Sequence, residues 1–155
     1  MISRLVVVSD THGNRRLLET VIKQQSTAKL LVHLGDGAND MQAMLPWCSV
    51  PVVQVAGNCD WSSLLPDEEL LRFAETLLLA VHGHKYDVKS GLLKLSATAR
   101  RRNAKVALFG HTHQPLTRYE DGLYLVNPGS LGHGGTYAVI DFENGGICPT
   151  IISCR

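Results

Sequence analysis

Seven residues of ligand type stand just past apolar runs: Asp10 and His12 in "SDTHGN", Asp36 in "LGDGAND", Asn58 in "AGNCD", His82 in "VHGH", and His111 and His113 in "FGHTHQP". Imidazole suits zinc, iron, nickel and manganese, whereas carboxylate and amide oxygens favour harder ions. The mixed set therefore points to a first-row transition metal rather than to calcium or an iron–sulfur cluster. Seven donors are too many for one tetrahedral site. They suit two ions sharing a carboxylate, which can clamp both the attacking and the leaving oxygen of a phosphoryl displacement. A single histidine of this set would read more readily as structural; ligand-type residues after five successive apolar runs weigh the other way.

Donors spread over the chain need a scaffold that gathers them. "RLVVV" at 4–8 predicts a buried strand, followed by a loop and a helix at about 14–25. "AKLLVHLGDGAND" repeats the strand, "DMQAMLPW" predicts a short helix that Pro46 ends, and "PVVQVAGNCD" predicts a third strand. Three strands that each end in small and acidic residues read as adjacent parallel strands of an α/β unit, which places its sites at the strands' carboxyl ends. Downstream, "ELLRFAETLLLAVHGH" predicts a hairpin, "VKSGLLKLSATARRRN" an amphipathic helix and "AKVALFGHTHQP" a further buried strand. The tail reads as strand throughout, with an Asp-Gly turn at 121–122 and an Asn-Gly turn at 144–145.

At 155 residues and 45% hydrophobic content, the chain is expected to form one domain, 1–155, with a sizeable core. Fifteen basic residues against 14 acidic ones give a net charge of +1, so no global field draws it to nucleic acid or an anionic membrane. Cys48, Cys59, Cys148 and Cys154 show no C-x-x-C pair, which favours reduced thiols and a cytoplasmic location. The apolar run in "MISRLVVVSD" is too short for a signal peptide or a membrane span.

Taken in order and followed by "NPGS" at 127–130, these blocks make the sequence resemble the calcineurin-like metallophosphoesterases, specifically the small YfcE-type phosphodiesterases. The resemblance covers nearly the whole chain. It implies an α/β fold, a calcineurin-like four-layer sandwich of two mixed β-sheets flanked by α-helices. It also implies that Asp10, His12, Asp36 and His113 hold one divalent ion. Asp36, Asn58, His82 and His111 would hold the other and form the catalytic set, with Asp36 as the bridge. Manganese is the first expectation, with nickel, zinc or iron as alternatives. The nucleophile would be a water or hydroxide, since coordination lowers the pKa of water to about 7. The implied reaction is hydrolysis of small phosphodiesters. Rival readings are a non-catalytic protein-binding scaffold resembling the small retromer subunit, and a nuclease; a nucleic-acid partner and a homo-oligomer both stay open.

Larger members of the family carry "GNH" where this chain has Cys59. A neutral thiol is a weak donor and cannot present the charge of an imidazolium, so general acid catalysis is in doubt. Asp60 is read as a brace for the loop or the bound ligands, and His84 as a residue that orients a ligand or meets phosphate. "NPGS", with Asn127, reads first as a turn and second as support for the site. His33 is expected as a hydrogen-bonded core residue, His133 as loop, and "ARRRN" as a solvated helix end. Trp47 and Trp61 are expected to pack, with Trp61 close enough to the "GNCD" loop to line a substrate surface. Cys48, Cys148 and Cys154 are read as core or strand fillers.

Overall fold

The computed structural model describes residues 1–61 and 63–155. In chain order these form β1 (Ser3–Val8), α1 (Arg15–Gln24), β2 (Leu30–His33), α2 (Ala38–Met44), β3 (Val52–Gln54), β4 (Glu68–Phe73) and β5 (Thr76–Val81). There follow α3 (Leu93–Arg101), β6 (Val106–Leu108), β7 (Leu116–Glu120), β8 (Leu123–Asn127), α4 (Leu131–Gly134), β9 (Thr136–Glu143) and β10 (Gly146–Ser153). Two 3-10 turns, Leu45–Trp47 and His84–Tyr86, complete the described elements.

The strands make two five-stranded mixed sheets, in the orders β10-β9-β1-β2-β3 and β4-β5-β6-β8-β7. β1, β2 and β3 are adjacent and parallel, as the three repeated apolar runs predict. In the second sheet β5, β6 and β8 are parallel. Period-two alternation sorts the side chains. Leu5 and Val7 of β1 face the core between the sheets, where they meet Leu78, Ala80, Val106 and Leu108. Val6 and Val8 face the other way, onto Leu17, Leu18, Val21 and Ile22 of α1. On the far side, Leu95 and Ala99 of α3 pack on Leu79, Ala107, Leu123 and Leu125. The result is helix, sheet, sheet, helix. Each fully buried Leu or Val of these layers contributes about 1.5–3 kcal/mol.

Helix α1 begins where Asn14 Oδ1 accepts the Leu17 amide at 3.1 Å, an N-cap bond. Helix α2 ends at Met44, and Pro46 stands in the 3-10 turn that follows. Two expectations are corrected. The tail is not strand throughout: Ser130 accepts the His133 amide at 3.0 Å and so caps the one-turn helix α4. Trp47 and Trp61 do not pack in the core; they are 71% and 90% exposed. The Trp61 indole donates to the Asn58 carbonyl at 2.6 Å and lies over the "GNCD" loop. Cys148 stands exposed on strand β10, and Cys48 and Cys154 are half-buried against the helix-side core, within the core-or-strand reading. Among the described residues no helix is long and apolar enough to cross a membrane.

Candidate metal centre

The parallel strands β1, β2, β5 and β6 all point their carboxyl ends at one edge, and the loops beyond them carry the ligand-type side chains. Five of these residues have left-handed backbones: Asp10 (φ 54), His12 (φ 43), Asp36 (φ 58), His111 (φ 69) and His113 (φ 62). Aspartate and histidine enter this region more readily than most side chains, yet five together are a concentration of backbone strain that the surrounding structure must hold in place. Close chain crossings help hold it. A Cβ on Gly57 would overlap the Asp36 carboxylate, and one on Gly110 would overlap Ser9 Oγ, so neither crossing tolerates a side chain.

Two groups result, Asp10–His12–His113 and Asp36–His82–His111. In the first, Asp10 Oδ1 lies 3.4 Å from His12 Nε2 and 3.3 Å from His113 Nε2, and the two imidazole nitrogens are 3.3 Å apart. In the second, His82 Nε2 lies 3.3 Å from Asp36 Oδ2 and 3.2 Å from His111 Nδ1. The groups adjoin. Asp36 Oδ2 is 3.9 Å from His12 Nε2, and Asp10 Oδ1 is 3.9 Å from His82 Nε2.

Each carboxylate commits one oxygen to the protein and turns the other to the histidines. Asp10 Oδ2 accepts from Ser9 Oγ at 2.6 Å and from the His111 amide at 3.0 Å. Asp10 Oδ1 is buried and, among the described residues, accepts no hydrogen bond. Such an orphaned buried oxygen is costly unless something positive meets it. Asp36 Oδ1 accepts the Cys59 amide at 2.8 Å, leaving Oδ2 toward His82. His82 is fully buried, and its Nδ1 lies 2.8 Å from the Leu34 carbonyl; this makes Nδ1 a donor and turns Nε2 toward Asp36. The residues present therefore fit a pair of cations.

Electrostatics follows from this crowding. Burial disfavours the Asp36 charge, but hydrogen bonds from His82 and the Cys59 amide win and hold its pKa well below the carboxylate range. For His82, burial opposes the proton while Asp36 and Asp10 favour it, and its pKa rises. His111 shifts down through burial and the neighbouring His82. His84 does likewise; its ring centroid lies 5.5 Å from that of His82, and its Nδ1 is buried with no hydrogen bond among the described residues. Burial and the nearby Asp36 push the Cys59 thiol up, which keeps it a neutral thiol.

The other expected residues fall around the two groups. Asn58 is exposed on the "GNCD" loop, its amide nitrogen 3.6 Å from Cys59 Sγ. Asp60 accepts four backbone amides, those of Asp36 (2.7 Å), Gly37 (3.1 Å), Ala38 (3.0 Å) and Gly57 (2.7 Å), and so ties two ligand loops together. Asn127 donates to the Gly110 carbonyl at 3.1 Å and to Thr112 Oγ1 at 3.0 Å, which pins the "GHTH" loop. Ser130 Oγ donates to the Asp10 carbonyl at 2.8 Å. "NPGS" is thus both a turn and a support.

Sequence reasoning passed over two residues, Asp40 and Thr11. Asp40 accepts from Thr11 Oγ1 at 2.7 Å and from the Gly13 amide at 2.8 Å; an acidic residue beside the buried Met41 was its signal. Thr11 also meets His33 Nε2 at 3.2 Å, and His33 Nδ1 accepts the Gly35 amide at 3.1 Å. His33 is the core residue expected, with its pKa lowered by burial to about 4. His133 is more than loop: its ring stacks on His113 at 5.1 Å and lies 4.8 Å from His12, which no local sequence signal marked.

Fold and site together define a metal-binding α/β sandwich protein. The chain belongs to the calcineurin-like phosphoesterase superfamily, whose family model matches residues 4–145. It is 31% identical over 146 residues to the probable metallophosphoesterase YsnB of Bacillus subtilis, covering 90% of this chain and 85% of that one. It is 29% identical over 170 aligned positions to the phosphodiesterase YfcE of Escherichia coli K12, covering 89% and 87%. A predicted phosphoesterase of Streptococcus pneumoniae has the same fold, with a TM-score of 0.84 at 22% identity over 99% of this chain and 90% of that one. Vacuolar Protein Sorting 29 of Cryptosporidium parvum does too, with a TM-score of 0.78 at 14% identity over 98% of each chain. At these identities the two structures speak to the fold alone.

Proposed function

We propose that the protein is a dinuclear metal-dependent phosphodiesterase that hydrolyses small phosphodiesters in the cytoplasm. The observation that carries this reading is the division of labour within each carboxylate, one oxygen held by backbone amides or a hydroxyl and the other turned toward imidazoles, with that of Asp10 buried and without a hydrogen bond among the described residues. Asp10, His12 and His113 would hold one divalent ion and Asp36, His82 and His111 the other, with Asp36 shared and the Asn58 side-chain oxygen completing the second site. Manganese is the first choice, with nickel, zinc or iron as alternatives. When bound, such a pair supplies Lewis acidity and a water acidic enough to ionise near neutrality.

The chain's own residues supply order. The Leu34 carbonyl fixes the His82 tautomer, Ser9 and the His111 amide fix Asp10, and Asp60 locks the Asp36 loop to the "GNCD" loop. Cys59, held neutral, serves neither as nucleophile nor as a strong acid. Diesters with good leaving groups suit such a site, because their departing oxygen needs a proton least.

The test is hydrolysis of bis(p-nitrophenyl) phosphate by protein reloaded with manganese, nickel or zinc, beside Asp36→Asn. Loss of a supporting residue around a metal already costs about 10–100-fold, so loss of a shared ligand should cost at least about a hundredfold. Absence of turnover with both ions bound would sink the enzyme reading and favour the non-catalytic scaffold, whose fold-level support is the likeness to Vacuolar Protein Sorting 29.

A further inference from the structure

Two clefts flank the ligand groups, and they differ in chemistry. One, of about 330 Å³, is polar: His12, Arg15, Asp36, Asn39, Asp40 and Asp60 are among the residues that line it. The other, of about 420 Å³, is lined mainly by Val88, Leu92, Phe109, Pro115 and Leu116, with Lys89, Thr112 and Gln114 as its polar members. Phe109 is almost wholly buried and forms the floor. Thr112 separates His111 from His113 in the chain, so this apolar cleft opens one residue from two of the candidate ligands. Asn127 holds Thr112 from below, which fixes that wall. Lys89 stands exposed within the lining.

We infer that this second cleft receives one ester arm of the substrate, and that the substrate class is a phosphodiester with one apolar, ring-sized arm. The inference rests on the phosphodiesterase reading above and narrows it. A dry apolar cavity of about 150 Å³ can hold a benzene ring, so 420 Å³ admits a ring with room to turn. Ligand pockets of this size are mostly apolar with a few polar groups that set orientation. Lys89 is the one cation of the lining and complements the anionic phosphoryl group at the metal end. The opposite cleft is lined largely by charged and polar side chains and offers an apolar arm little matching surface, so the arm has one favourable side.

Binding separates this from turnover. Dissociation constants of cyclohexylphosphonate and methylphosphonate are measured by calorimetry on the manganese-loaded protein. Methyl NMR of the zinc-loaded protein, which is diamagnetic, reports at Val88, Leu92 and Leu116 where the ring sits. The ring should improve affinity about 10–100-fold, the worth of several partly buried methylenes. Leu92→Glu puts a charge in the cleft at a half-buried position that precedes α3, where a carboxylate suits the helix terminus. Gln114→Trp fills the cleft from its exposed rim. Each variant should cut the ring's advantage to about twofold or less, while Lys89→Met should weaken both phosphonates alike. Equal affinity of the two phosphonates for the wild type, no binding of either, or a ring preference that survives both cleft variants would overturn the inference. A ring preference without diester hydrolysis would leave the cleft assigned and fault the enzyme reading instead.

Discussion

The two ligand groups are made of the same parts, one aspartate and two histidines each, yet they sit at different depths. Both carboxylates are buried, Asp10 at 0% and Asp36 at 4% exposed, so the difference lies in the histidines: His82 is 0% exposed, His12 and His113 24% and 37%. In the buried group, charge interactions are weakly screened and the rings are held by the backbone, as His82 is by Leu34. In the outer group, water reaches the imidazoles and can replace one of them. Identical ligand types therefore need not give equal sites: the inner group should grip its ion, and the outer group should exchange it and admit substrate.

The largest expected effect concerns His33, which supports the inner group's loop through the Gly35 amide. Its folded pKa of about 4 lies below the unfolded value of 6.5. The unfolded chain therefore takes up a proton before the folded one does. Stability from neutral His33 is fully present above pH 6.5 and lost as pH falls to about 4, a change of roughly 3 kcal/mol. Urea unfolding of metal-free wild type and His33→Asn across that window should show the difference in slope; parallel curves would remove His33 from the account.

Next, His82→Ala should weaken metal binding about a hundredfold and His12→Ala about tenfold, by calorimetry and metal analysis on folded protein. Equal losses would break the contrast between inner and outer groups. Asp60→Ala strips the shared acceptor from four amides and should cost about 2 kcal/mol, roughly 4–8 °C in Tm, with diester turnover falling as the two loops part. The smallest effect is expected at Cys59→His, a several-fold rise in turnover as an acid is restored beside Asn58; a turnover equal to the wild type or lower in the metal-loaded variant would deny Cys59 the place of a missing acid.

Much of this was legible along the chain, for local reasons. β-branched runs such as "RLVVV" announce buried parallel strands, and the residues that follow them must lie at carboxyl ends. Hence the two groups gather His12 with His113, 101 positions apart, from strand ends recognised beforehand. The Asp-Gly and Asn-Gly turns fell where they were expected, between β7 and β8 and between β9 and β10. Trp47 and Trp61 misled because an apolar side chain signals burial only on average, and whether a partner surface exists is a tertiary matter. α4 was hidden because a one-turn helix has too few residues for periodicity.

The sequence by itself determined which residues can hold a metal and that they follow strands, because donor chemistry and strand propensity are properties of the local chain. Only the tertiary structure decided which donors share a group, which oxygen of each aspartate faces the histidines, and that His133 stacks beside His113. Those outcomes depend on two sheets bringing distant loops within a few ångströms, and on Asp60, Asn127 and Ser130 pinning them there through backbone hydrogen bonds that no local pattern encodes.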